Sequence, residues 1–241
     1  MVDLTKLHVM AGPAPVCATC QDEGIVIDED GRATWCDCER GQGRAQEQRG
    51  RQARAAGIPL YADELLQDTP QRQALYGLLR QWYEQHRAGT ASPPGVLLWG
   101  PPGRGKTRGL ATVALALARE TGHVRYHAAN KLIRAVKASY GGDTPFWFER
   151  EIVDPPVLVL DDLGFAGGNL SAHDRDFLAG AIDERYRIGK PILAATNLDW
   201  AAGEVGKVFG AGVQSRLQEM CLIVHVLGED MRSRRAAEVE L

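Results

Sequence analysis

The run Gly95-Val-Leu-Leu-Trp99 passes directly into Gly100-Pro-Pro-Gly-Arg-Gly105-Lys106-Thr107, and no other feature limits the fold of this chain as strongly. A short apolar strand ending in glycine, then G-x-x-x-x-G-K-[ST], then a helix is the order a phosphate-binding loop requires. Glycines let the backbone wrap a phosphate without side-chain clashes. The exposed N–H groups and the following helix N-terminus hold the anion. The expected nucleotide-binding residues are Gly100, Pro101, Pro102, Gly103, Arg104, Gly105, Lys106, Thr107 and Arg108. Lys106 is expected to reach the β and γ phosphates of ATP, and the Thr107 hydroxyl to ligate Mg²⁺.

The rest of the chain from Ile58-Pro59 onward alternates strands and helices. Thr69-Pro70 reads as a cap and first turn, followed by Leu75, Leu78, Leu79 and Trp82 at helical spacing. A helix is expected over 106–120, a strand over Val124–Ala128, and a helix over 129–140 with Leu132, Ile133, Val136 and Tyr140 facing inward. Pro156–Asp161, Pro191–Thr196 and Cys221–Val226 read as further strands. Ser171-x-x-Asp174 reads as a capping box before a helix carrying Phe177, Leu178, Ala181, Ile182 and Tyr186. Continuous apolar strands separated by helices predict an α/β fold with a five-stranded parallel sheet covered on both faces.

Val157-Leu-Val-Leu160 ends in Asp161-Asp162. A carboxylate at the C-terminal end of a parallel strand faces the ligand crevice of an open α/β sheet. Asp161 suits the metal, and Asp162 suits the attacking water; the plain alternative is a solvated turn. Asn197 ends the next strand, where its amide suits the lytic water or the γ phosphate, or merely a turn.

Upstream, Cys17-x2-Cys20 and Cys36-x-Cys38 offer four thiolates in two close pairs. The set suits tetrahedral Zn²⁺, with a redox pair as the competing reading. Gly24 and Gly31 allow a hairpin carrying Ile25, Val26 and Ile27. A module this small needs the metal for its folding energy. Cys221, in an apolar strand, reads as core. Lys6 and Arg32 face Asp3, Asp22, Glu23, Asp28, Glu29, Asp30 and Asp37 in this region, whereas Arg40, Arg44, Arg49, Arg51 and Arg54 follow it. The acidic balance favours protein docking over nucleic acid for the cysteine module. The expected organisation is therefore a zinc-binding, partner-docking module over 1–40, a basic helix or flexible arm over 41–57, and an ATPase domain over 58–241.

Net charge is −3 over 241 residues, so no global basic footprint marks a nucleic-acid binder. A local one exists: Lys131, Arg134 and Lys137 share the polar side of the helix over 129–140 and suit nucleic-acid phosphates, or simply solvent. Phe146-Trp147-Phe148 reads as a buried plug in preference to a base-stacking platform. No apolar run approaches the ~20 residues that span a bilayer, and the N-terminus lacks the pattern of a secretion signal. A cytoplasmic protein with no membrane partner is expected.

Taken in order, GPPGRGKT, LVLDDLG, IDERYRIGKPIL, AATNL, GVQSRLQE and GEDMRSR resemble the DnaC/IstB-like branch of the AAA+ ATPases, and IPLYADELL resembles its entry segment. The resemblance covers 58–235. It implies hydrolysis of ATP to ADP and phosphate, a polar sensor at Asn197, and an arginine finger at Arg216 acting on a neighbouring subunit of an ATP-bound homo-oligomer. It places a second sensor at Arg232, with Arg234 and Arg235 as neighbours that compete for the role. Asp162 stands where AAA+ enzymes at large carry Glu. Among the branch, the cysteine module points to a loader of the hexameric replicative DNA helicase onto single-stranded DNA. The rivals are an IstB-like ATPase helper of DNA transposition and a nucleotide-switched adaptor.

Overall fold

The computed structural model describes residues 16–59, 70–121, 124–139, 147–164 and 170–230. The expectations at Thr69, Tyr140, Phe146 and Arg232 lie outside them. The chain divides into two compact units, Met1–Arg51 and Gln52–Leu241.

In the first unit, β1 (Ile25–Ile27) and β2 (Ala33–Trp35) form an antiparallel hairpin with Ile25 opposite Trp35 and Ile27 opposite Ala33. Asp28 makes the turn: its Oδ1 accepts from the backbone N–H of Asp30 (3.0 Å) and Arg32 (2.8 Å). Short carboxylate side chains do this readily. Helix α1 (Glu39–Ala55) follows, so the basic stretch expected as helix or arm is helical. The second unit begins within the last turns of this helix, and its Ala53, Ala56 and Ile58 are buried in that unit's own core.

The second unit is built on one five-stranded sheet. Its elements are α2 (Pro70–Arg87), β3 (Gly95–Trp99), α3 (Lys106–Thr121), β4 (Val124–Ala128), α4 (Ala129–Ser139), a π-helical turn (Glu149–Val153), β5 (Val157–Asp161), α5 (Ala172–Arg187), β6 (Ile192–Thr196), α6 (Glu204–Phe209), α7 (Ala211–Met220) and β7 (Cys221–His225). The strand order is β4-β5-β6-β3-β7, and every pairing is parallel.

The period-two alternation of each strand feeds two separate cores. Val96, Leu98, Val157, Val159, Leu193 and Ala195 pack on one face with Leu75, Leu79, Leu110 and Ala114 of α2 and α3. Leu97, Leu158, Leu160, Ile192 and Ala194 pack on the other with Leu132, Leu178, Ile182, Val213 and Leu217. The result is a three-layer sandwich. Gly109 permits the close approach of α2, since a Cβ there would lie 2.8 Å from Leu79 Cδ1.

The expected strands and helices are present with ends shifted by a residue or so. The capping box is formed: Ser171 Oγ accepts from Asp174 N, and Asp174 Oδ2 accepts from Ser171 N, both at 3.2 Å. Periodicity gives no warning of α6 and α7, because Gly203, Gly206, Gly210 and Gly212 interrupt the pattern. Of the residues expected as a plug, Trp147 and Phe148 are half-buried against the second core, Phe148 edge-on to Phe177. Cys221 is core, its thiol pushed up to about 12 by burial.

Fully buried Arg185 holds one corner of this core. Among the described residues no carboxylate pairs with it; its guanidinium donates to the carbonyls of Ile152, Val153, Pro155, Pro156 and Pro191. It thereby helps satisfy the end of the π-helical turn and the entries to β5 and β6, where Lys190 Nζ also donates to Val153 O (2.8 Å) and Leu158 N to Pro191 O (3.4 Å). Burial draws its pKa down to about 10.

Candidate nucleotide and metal sites

β3 delivers the loop and α3 receives it. Between them Gly100, Gly103 and Gly105 have φ of +136°, +77° and +89°, conformations L side chains rarely adopt. Gly100 is also pressed from outside: a Cβ there would lie 2.7 Å from Val226 O. The Asp230 carboxylate lies against Gly103, where a Cβ would meet its Oδ1 at 1.9 Å.

Lys106 begins α3 and is only 6% exposed. Its ammonium donates to Gly100 O (2.6 Å), Pro101 O (2.7 Å) and Asn197 Oδ1 (2.8 Å). It therefore ties the loop to the end of β6. Thr107 Oγ donates to Asp161 Oδ1 at 3.1 Å, and Tyr126 Oη to Asp161 Oδ2 at 2.7 Å. The structure thus gathers Lys106, Thr107, Asp161 and Asn197 from three elements into one cluster at the C-terminal ends of the strands. Burial, reinforced by the Asp162 charge, raises the Asp161 pKa against the hydrogen bonds from Tyr126 and Thr107. A buried carboxylate beside a hydroxyl and an open phosphate loop fits a hard divalent cation, which takes oxygen ligands.

Asp162 is half-buried with φ +53°. The left-handed region suits Asp better than most residues. The turn is pinned from both sides: Leu163 N donates to Ala195 O (2.8 Å) and Thr196 Oγ to Leu163 O (2.6 Å). Arg104 is half-buried, its Nε and Nη1 without a hydrogen-bond partner among the described residues, and Arg108 is half-buried on the first turn of α3.

The other expected residues make their contacts elsewhere. Arg216 on α7 pairs with Asp183 (2.8 Å) and lies 5.9 Å from the Tyr186 ring centroid. Lys131 and Arg134 are exposed on α4. Lys137 is bound to Asp174 at 2.8 Å, so the helix cap holds one of the three expected DNA-binding cations. Two residues escaped the sequence reading. Tyr126 is one; its inward direction follows from the alternation Val124, Tyr126, but its hydroxyl partner does not. Thr196 is the other.

In the first unit, the ligand atoms of Cys17, Cys20, Cys36 and Cys38 all lie within 4.8 Å of one another. Cys17 and Cys36 sulfurs are 3.7 Å apart and Cys20 and Cys38 sulfurs 3.6 Å. A tetrahedron with Zn–S near 2.3 Å has edges of about 3.8 Å, so the set fits zinc. Gly24 N and Gly41 N donate to the sulfurs of Cys20 (3.2 Å) and Cys38 (3.4 Å), as thiolates favour. Backbone N–H groups of Cys20 and Thr19 lower the Cys17 pKa to about 6. Gly41 is required here: a Cβ would lie 2.0 Å from Cys36 O. No described helix is long and apolar enough to cross a membrane.

Residues 90–239 match the model of the family described as IstB-like ATP binding protein. An insertion-sequence ATP-binding protein of Mycobacterium tuberculosis is 32% identical over 102 residues, which is 42% of this chain and 40% of that protein. Among solved structures, the DnaC helicase loader superposes with a TM-score of 0.57 at 22% identity, covering 72% of this chain and 99% of that one. DnaI gives 0.52 at 22% identity, over 72% and 93%. Domain III of the Thermotoga maritima replication initiation protein DnaA gives 0.57 at 18%, over 74% and 72%. With a parallel sheet, a lysine-bearing phosphate loop and a family match over most of its length, this chain belongs to the IstB-like ATP-binding proteins of the DnaC/IstB-like AAA+ family.

Proposed function

We propose that this protein is a Mg²⁺-dependent ATPase that loads a ring-shaped replicative DNA helicase onto single-stranded DNA. The observation that carries the reading is the presence, in one chain, of the Lys106–Thr107–Asp161–Asn197 cluster and a cysteine-held hairpin suited to grip a protein. On the hairpin Ile25, Ile27 and Trp35 are exposed, Ile27 to 73%, amid Asp22, Glu23, Asp28, Glu29 and Asp30. Exposed apolar side chains with an acidic rim suit a basic-rimmed protein surface and repel nucleic acid.

In the ATPase cycle, the backbone of Gly100–Gly105 cradles the phosphates and Lys106 shifts its ammonium toward the β and γ oxygens. Arg104 offers a second cation. Thr107 and Asp161 would hold Mg²⁺, which would supply charge neutralisation at the phosphate oxygens. Asp162 orients the attacking water, and Asn197 reports the γ phosphate to β6. Arg216 leaves Asp183 and reaches the ATP of a neighbouring subunit, making turnover depend on assembly. Arg232 acts as a second sensor. Lys131, Arg134 and Lys137 follow the DNA backbone, with Lys137 released from Asp174.

Native mass spectrometry of the zinc-loaded protein with the host's hexameric replicative helicase, with and without ATP, tests this. A defined complex lost on deletion of residues 1–51 is expected. No complex in any nucleotide state sinks the loader reading and leaves the ATPase. The family match and the insertion-sequence relative favour a second reading, an ATPase helper of DNA transposition; it predicts an ATP-dependent complex with a transposase instead.

A further inference from the structure

We propose that Tyr126 is a positioning residue for the metal-holding carboxylate, its hydroxyl fixing the orientation in which Asp161 meets the divalent cation of the ATP complex. The inference rests on the ATPase reading above.

Tyr126 lies mid-strand on β4, directly opposite Val159 of β5. Asp161 is two residues further on, so it projects from the same sheet face as Val159. That is the face on which Tyr126 is buried. The ring thus runs along the sheet toward the strand ends, and its hydroxyl arrives at Asp161 Oδ2 at 2.7 Å. The other oxygen takes the Thr107 hydroxyl. Two donors, one on each oxygen, set the plane of the carboxylate: Thr107 defines the phosphate-loop side and Tyr126 the opposite side. A phenylalanine would fill the same core, and burying a hydroxyl is costly unless it is bonded. The hydroxyl therefore serves the carboxylate and not the packing.

The base of the ring is held as firmly. Tyr126 N donates to Ala56 O at 2.8 Å. Gly57 follows with φ +78°, and a Cβ on it would lie 2.5 Å from Tyr126 O, so the chain leaving α1 lies flat against this residue. A positioning side chain needs such backing, because a carboxylate misplaced by a fraction of an ångström loses a cation that demands near-ideal geometry.

The test is Tyr126→Phe, with ATP binding followed by calorimetry in EDTA and across a Mg²⁺ series, alongside the unsubstituted protein. We expect ATP affinity in EDTA to stay within about twofold, while the Mg²⁺ concentration for half-maximal enhancement of ATP binding rises about five- to tenfold, the scale of one lost hydrogen bond. An unchanged Mg²⁺ midpoint overturns the inference. A second measurement keeps the hydroxyl: with 3-fluorotyrosine incorporated and the Tyr126 resonance assigned by its loss in Tyr126→Phe, that ¹⁹F resonance shifts when Mg²⁺ is added to the ATP complex, and a resonance that stays in place overturns the inference. If the unsubstituted protein itself shows no Mg²⁺-dependent ATP binding, the ATPase reading falls and this inference with it.

Discussion

Lys106 Nζ and Asn197 Oδ1 lie 2.8 Å apart, a direct link between the start of α3 and the end of β6. The ammonium is thus already shared between the phosphate loop and the residue expected to sense the γ phosphate. Removing either end has different consequences. Lys106→Ala is expected to abolish ATP binding at micromolar nucleotide. Asn197→Ala is expected to leave binding within a few fold and to lower kcat by about 10²-fold, the scale of one lost transition-state hydrogen-bond partner. A steady-state kinetic and filter-binding comparison checks both.

Arg185→Met is expected to destabilise the protein by about 2–4 kcal/mol, the scale of a few buried acceptors losing their donors. Methionine fills much of the volume but takes the guanidinium N–H groups away from the carbonyls of Ile152, Pro155 and Pro156, while Val153 O keeps Lys190 Nζ and Pro191 O keeps Leu158 N. Urea unfolding at neutral pH reads the loss as a shift in midpoint.

The cysteine module is expected to hold one Zn²⁺ per chain, measured by elemental analysis. Cys36→Ser should release it. Chelation should change Trp35 emission, since the tryptophan stands on the strand leading into Cys36, whereas Cys221→Ser should leave the metal content intact.

Arg216→Ala is expected to preserve ATP affinity and to lower turnover by about 10²–10³-fold in the assembled state, as loss of a finger does. Asp183→Ala should move the opposite way or not at all, because it frees the guanidinium that it now pairs. Mixing the Arg216 variant with a Lys106 variant should restore part of the activity if the finger acts between subunits.

Stability should fall as pH drops below the ordinary imidazole value of 6.5. Burial lowers the His127 pKa below its ordinary value of 6.5, against the pull of Glu151 at 3.6 Å. The folded-state pKa is below the unfolded one, so the stabilisation is complete above about 6.5 and is lost as pH falls through the folded value. Thermal melts at pH 7.5 and 5.5 should show a smaller difference for His127→Gln than for the unsubstituted protein.

The strands and the phosphate loop were legible because their signals are local: apolar runs of five residues, glycines at fixed offsets, a carboxylate at a strand end. The cysteine tetrad was legible for the same reason. What spacing could not show is which side chain meets which across the sheet. Asp161 and Tyr126 are brought together by the register of β4 on β5, and Lys106 and Asn197 by the insertion of β3 between β6 and β7. Arg185 looks like one charge among many in Asp183-Glu-Arg-Tyr-Arg187; only the fold reveals that it is buried against backbone. Lys137 illustrates the converse. It belongs to the polar side of its helix as expected, yet the capping carboxylate of α5 has it in hand.

β4 is the outermost strand on its side of the sheet, and an open strand edge invites pairing with other chains. The Ala56 carbonyl covers one of its outward donors at Tyr126. The few residues after α1 thus act as a guard rail along that edge. Any shortened form of this protein should keep them: a chain starting at Gln52 retains the guard, whereas one starting after Gly57 bares the edge and should clump in solution, however intact its ATP site.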